Sequence, residues 1–197
     1  MAKLKMPLGS LGASGQIGKA LVYFPWKGLN VVREHVVPAN PKSTAQRAQR
    51  TLFTAAVAAY HTALYNSLDM TAWARYAGTI KASMTGFNAM VRTHVKEGIL
   101  GNAWELLHQV EMATITDTDF VAFVGADDGG NAPVLHYGTS KTFMPDTFDM
   151  TVYGTDVWAA QPAGLTPETL YYFWISMGTS AADYARTGIY SVRTLAA

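Results

Sequence analysis

The stretch LTPETLYYFWISM, residues 165–177, reads as a turn running into a buried β-strand. Pro167 holds the turn, and from Leu170 onward the chain is uncharged and rich in aromatic and β-branched residues. The two-residue period of a strand places Tyr171, Phe173 and Ile175 on one face and Tyr172 and Trp174 on the other. Similar short runs lie around it: TITDTDFVAFV, PVLHYGTS, FDMTVYG, DVWAAQ and GIYSVRTLA, with turn chemistry such as ADDGGNA between them. Six or seven short strands at this spacing, starting near Ala113, predict a β-sandwich.

Leu165, Pro167, Thr169 and Tyr171 resemble the tyrosine corner of fibronectin type III domains. There the tyrosine hydroxyl reaches back to upstream backbone and locks the strand crossover. HYGTS (136–140) is similar to the third-strand ending of such domains. The resemblance covers roughly residues 113–197. It implies a fibronectin III/Ig-like fold and a habit of mediating contacts, and it carries over no catalytic residue.

Upstream, about 43–112, the apolar period changes to that of a helix. Ser43 with Gln46 fits a capping box. Leu52, Phe53, Ala56, Val57, Tyr60 and Leu64 then follow at helical spacing. Asn66, Ser67 and Asp69 break that helix, and Asp69 is placed to cap the next, whose stripe is Trp73, Tyr76, Ala77, Ile80 and Met84. Thr85-Gly86 is expected to bend or split it before Phe87, Met90, Val91 and Val95, and Gly98 to stop it. Trp104, Leu107 and Val110 predict one more short helix. The alanines Ala55, Ala56, Ala58, Ala59 and Ala63 permit close helix contact, as in a small helical hairpin or bundle.

Residues 1–42 read as a basic extended arm. ALVYFPW (20–26) and LNVVREHVV (29–37) flank Lys27-Gly28, a hairpin signal. Pro25 cannot donate to a ladder and marks an edge or bulge. Pro38 and Pro41 end the extended chain. A lone two-stranded hairpin is marginal in water, so the arm is expected to pack on the helices or on another molecule. The predicted class is therefore α+β in three parts: arm 1–42, helical region 43–112, sandwich 113–197.

The series GQIGKALVYFPWKGLNVVR, VPANPKSTAQRAQR, TAWARYA and SMTGFNAMVR resembles short proteins of bacteriophages and prophage-rich bacteria. Those carry a glycine-rich β segment, an N-P-x-T-x-A-Q-x-x-R turn into a helix, and a G-x-N-x-x-V/F-R element. Here Ser43 precedes Thr44 within the turn, a small departure. The resemblance implies a virion structural protein, assembled in the host cytoplasm, with no established active site.

Charge supports an interacting arm. Residues 1–50 hold eight Lys/Arg against Glu34 alone, +7, whereas the remainder holds seven basic and thirteen acidic residues, −6. Such asymmetry points to nucleic acid, to an acidic surface, or to the body of a second copy. Charged residues make up only 15% of the chain, below the ~25% usual for soluble domains, which favours apolar surface covered by partners. Tyr23, Phe24 and Trp26 are the expected anchors, with Lys27, Arg33, Arg47 and Arg50 as the cationic contacts. The partners expected are further copies or other virion proteins, in a capsid-decorating, capsid-stabilising or tail role. The alternative is nucleic acid gripped by the basic, aromatic arm. No membrane span is expected, since no stretch approaches 18 apolar residues. Lys3 and Lys5 are followed by Pro7, Gly9, Ser10 and Gly12 rather than an apolar run, so an ordinary cleaved signal is not expected.

Catalytic patterns are weak. GSLGASGQIGKALVYFPWKG (9–28) lacks the spaced glycine and the hydroxyl after Gly18-Lys19 that a P-loop needs. Glu105-x-x-His108 has the ligand spacing of di-iron helices, but a second copy is missing, His94-x-x-Glu97 being reversed. Asp127-Asp128-Gly129-Gly130 reads as a turn rather than a calcium loop. There is no cysteine. No enzyme activity, cofactor or metal is expected.

Overall fold

Lys27 and Gly28 take φ values of 49° and 78°. Positive φ at both centres makes the two-residue turn whose twist matches a hairpin, and glycine supplies the second centre without strain. In the computed structural model, which describes residues 2–4, 14–40, 42–126, 132–177 and 183–197, this turn joins β3 (Leu21–Trp26) to β4 (Leu29–Glu34). The pair does not stand alone. β1 (Ala2–Leu4) adds to β4 and β2 (Gly15–Ile17) adds to β3, giving an antiparallel sheet in the order β1-β4-β3-β2. β2 reaches only as far as Tyr23, so Pro25 sits on the stretch of β3 that β2 leaves unpaired, where its missing N–H breaks no ladder bond. The segment 9–13 of the glycine-rich lead, Pro41 and the Asp127–Gly130 turn lie outside the described residues.

The chain divides into two units, 1–43 and 44–197. In the second, the helices and the sandwich belong to one body. Its helices are α1 (Thr44–Thr62), α2 (Ser67–Ile80) and α3 (Gly86–Leu100). α3 packs on both α1 and α2, around Ala56, Trp73, Ala77, Ala89 and Met90. Asn66, not Asp69, is the N-cap of α2. Its side chain accepts from the Asp69 N–H, and Asp69, at the third helical position, accepts from the Asn66 N–H. Asparagine caps as well as aspartate does, and the carboxylate in the first turn suits the positive helix end. The Thr85-Gly86 break is real: α2 ends at Ile80, and Thr85 caps α3. Gly98 does not end that helix. It lies inside α3, where a Cβ would come 2.6 Å from a Leu52 methyl of α1, and Gly101, with φ 87°, makes the left-handed C-cap.

The sandwich has one sheet in the order β10-β11-β7-β6, from β6 (Leu107–Ala113), β7 (Val121–Ala126), β10 (Thr151–Gly154) and β11 (Val157–Ala160). The other runs β5-β13-β12-β8-β9, with β14 also on β12. Its members are β5 (Ala103–Trp104), β8 (Pro133–Gly138), β9 (Asp146–Asp149), β12 (Leu170–Met177), β13 (Asp183–Arg186) and β14 (Tyr190–Arg193). The helix expected at Trp104, Leu107 and Val110 is strand, and the sheet begins before Ala113. A bulge between His108 and Glu111, with Gln109 at φ 52°, inserts a residue into β6. Leu107 and Val110 therefore both point inward although three positions apart, which mimics a helical period.

The alternation read in β12 holds. Tyr171, Phe173 and Ile175 are buried, while Tyr172 and Trp174 are half-buried on the outer face. Phe173 lies between Phe120 and Tyr190, with ring centroids 5.3 and 5.1 Å away. The tyrosine corner is formed, with the Thr166 N–H donating to the Tyr171 hydroxyl at 3.0 Å. Thr169 and Thr194 tie the same crossover, the Thr169 N–H donating to Thr194 Oγ1 and that hydroxyl to the Thr166 carbonyl. Leu165 is buried beneath it. Tyr171→Phe keeps the ring and removes the acceptor, so we expect a loss of about 1–1.5 kcal/mol with an unchanged urea m-value. An unaltered midpoint would show that the hydroxyl contributes nothing.

Candidate interaction surfaces

Cross-strand register sorts the arm residues by face. Val22 pairs with Arg33, Phe24 with Val31 and Trp26 with Leu29, so these six share one face, and Tyr23, paired with Val32, belongs to the other. The structure thus brings together Phe24, Trp26 and Arg33. The Arg33 guanidinium lies 5.3 Å from the Phe24 ring centre, a cation–π contact. Lys27 is in the turn, exposed. Arg47 and Arg50 are exposed one turn apart on α1, in the second unit. Among the described side chains of the first unit only Val31 is buried, while Trp26 is 56% exposed and Leu29 46%.

A second surface, which the sequence did not disclose, runs over the outer face of β12. His136 stacks flat on Trp174 at 4.2 Å. The Arg186 guanidinium also lies over Trp174, at 4.2 Å, and over the Tyr76 ring of α2, at 4.1 Å. Lys141 Nζ lies 5.5 Å from the Tyr172 ring centre. His136 Nε2 is 2.9 Å from Ser176 Oγ. Burial, and next the Arg186 charge, lower the His136 pKa. Burial also raises the Tyr184 pKa, opposed by neighbouring Arg186. Alternation alone places Trp174 outward. Arg186 reaches Trp174, and Lys141 reaches Tyr172, only through the tertiary fold, so no local pattern announces the two cations.

Side-chain hydrogen bonds fasten the seam between α2 and the sandwich. The bulge of β6 frees the N–H groups of Gln109 and Val110 from the ladder, and both donate to Asp69, at 2.8 and 3.2 Å. The Tyr190 hydroxyl donates to the same carboxylate at 2.6 Å. Asn66 Nδ2 donates to the Val110 carbonyl, and Arg75 to that of Ile189. Tyr190 has its pKa raised by burial and then by the Asp69 charge, which keeps the phenol a donor. Each Asp69 oxygen thus accepts two bonds within the fold, which is structural work.

Glu105, between β5 and β6, and His108, in β6, lie outside any helix, so their spacing puts no pair on one helical face. His94 is buried in α3, its ring 5.0 Å from that of Trp104. Among the described residues no group of three or more His, Asp or Glu side chains is arranged to hold a metal ion. Among them, too, no helix is long and apolar enough to cross a membrane.

No protein-family model matches the sequence, and no protein of curated function matches it. Solved structures similar to parts of it include a redesigned β-sandwich protein (16% identity, 48% of this chain and 96% of that one, TM-score 0.38). The FN5 domain of Drosophila Lar is another (19% identity, 49% of this chain and 99% of that one, TM-score 0.33). A third is the sensor domain of the anti-sigma factor RsgI4 of Pseudobacteroides cellulosolvens (14% identity, 47% of this chain and 76% of that one, TM-score 0.35). The C-terminal half resembles β-sandwich folds of the fibronectin III kind, on its own sheet order and its tyrosine lock.

Proposed function

We propose that this chain is a non-enzymatic assembly protein of a bacteriophage-type particle, a capsid-stabilising, decorating or tail subunit that binds its neighbours through its arm sheet and its sandwich. The observation that supports it most directly is the arm face: Phe24, Trp26, Leu29 and Arg33 side by side on a sheet whose only buried described side chain is Val31. Aromatic and arginine side chains concentrate interface energy, and such a face is completed by a partner surface that excludes water from it. The sequence resemblance of the N-terminal segments to phage proteins supports that setting, and the opposed charges of the first fifty residues and the rest favour further copies or other virion proteins as the neighbours.

Light scattering on the whole chain, alone and with intact particles, tests this reading. Ordered multimers or co-sedimentation are expected, and Trp26→Ala should weaken the association by roughly tenfold or more. A monodisperse monomer that ignores particles, with its arm sheet intact, overturns it. A second reading has the Phe24–Arg33 contact and Trp26 on its side, since alternating rings and cations also suit single-stranded nucleic acid. DNA binding that falls steeply with salt, and disappears in Trp26→Ala, would favour it.

A further inference from the structure

The geometry points to an anion-binding cleft between the 141–144 segment and the Trp174–Arg186 stack, one that takes a carboxylate or phosphate group carried on a small apolar stem. The cleft measures about 350 Å³ and is lined by Lys141 and Arg186 with Phe143, Met144, Trp174 and Ile189. Its charge is out of keeping with its surroundings. Residues 101–197 hold three Lys/Arg and eleven Asp/Glu, and two of those three cations line this single cleft. No carboxylate among the described residues lines it. Asp146 pairs with Tyr137 and so belongs to the opposite face of the sheet; Asp149 shares the outer face but stands on β9, three strands from Arg186.

Arg186 is prepared for one kind of partner. Its guanidinium carbon already lies 4.1 Å from the Tyr76 ring centre and 4.2 Å from that of Trp174. With two rings already against the group, a further partner is expected at its N–H donors, and oxyanions are what those donors fit. The group has five such donors, and its Nε is buried with no acceptor among the described residues. Two rings hold the side chain in place, so little rotamer freedom is lost on binding. Arg75 adds a third cation behind the wall, bonded to the Ile189 carbonyl. Phe143, 69% exposed, and Met144 give the stem an apolar seat.

Calorimetric titration of the whole chain with benzoate, phenyl phosphate, inorganic phosphate and neutral benzamide tests the cleft. Benzoate and phenyl phosphate should bind saturably, more weakly as salt rises from about 50 to about 500 mM. The stronger of the two tells carboxylate from phosphate, and either supports the cleft. Lys141→Gln, an exposed change that leaves the fold intact by circular dichroism, should weaken both roughly fivefold. Arg186→Lys, which keeps the charge and loses the planar edge, should weaken them further. Absence of saturable anion binding, benzamide binding as well as benzoate, or unchanged affinity in Lys141→Gln overturns the site. Inorganic phosphate binding as tightly as phenyl phosphate overturns the stem. None of these readouts depends on self-association, so they stand or fall apart from the assembly reading.

Discussion

Asp69→Ala is expected to remove about 4 kcal/mol of stability from the second unit, enough to leave much of it unfolded. The carboxylate is 1% exposed and accepts from four donors: the N–H groups of Asn66, Gln109 and Val110, and the Tyr190 hydroxyl. Alanine leaves all four without that acceptor, the Val110 N–H and the Tyr190 hydroxyl in buried surroundings, and hydrogen bonds to a charged group are the strong ones. Urea denaturation followed by tryptophan fluorescence reads the effect. Tyr190→Phe is the companion variant. It removes one donor and leaves Asp69 its three backbone bonds, so a smaller loss, about 1–2 kcal/mol, is expected. If Asp69→Ala costs no more than Tyr190→Phe, the carboxylate is not the joint that fastens helix to sandwich.

Asp69 also shows where sequence reasoning stops. Its place at the start of a helix is legible from Asn66-Ser67-Asp69 and the stripe that follows. Its bond to a β-bulge 40 residues on is not, because the bulge itself disguised β6 as a helix turn. Leu107 and Val110 are three apart in sequence, and only the extra residue at Gln109 turns both inward. The strand alternation of β12 and the tyrosine corner were readable because each is decided within a dozen residues. Gly98 shows the opposite limit: glycine ends helices, but it also yields room, and the Leu52 methyl that takes the room is a tertiary fact.

The arm divides in the same way. The hairpin is local, fixed by Lys27-Gly28 and two β-rich runs. The sheet that completes it is not, since β1 and β2 are three residues each and carry little pattern. The anchors named from composition fall on two faces once register is known, which leaves Phe24, Trp26 and Arg33 as the group able to act together. The Lys141–Arg186 cleft had no sequence signal at all. Its parts come from the 141–144 segment, β12, β13 and the turn before β14, and only sheet pairing and the arrival of α2 gather them.

Gly188→Ala should be the most damaging methyl addition at any described glycine. The last strand is interrupted between β13 and β14, and α2 docks into the interruption: the Ile189 N–H donates to the Ala72 carbonyl at 3.0 Å. A Cβ on Gly188 would stand 2.3 Å from the Ala72 carbonyl carbon and from the Trp73 nitrogen. Those are backbone atoms of a capped helix and cannot rotate aside, so the helix must lift from the sheet. Lifting it strains the Ile189 and Arg75 bonds and opens the contact of Ala72 with the sandwich core. We expect a loss of about 3 kcal/mol or more, with the protein still able to form its separate helices and strands. Gly78→Ala, a site on α2 with nothing within 4 Å of the added carbon, should instead stabilise by about 0.5–1 kcal/mol, because alanine favours the helix. The two changes add the same atom, so thermal denaturation of the pair separates steric lift from any general effect of replacing glycine. Equal shifts of the same sign would mean that α2 is not seated on that strand.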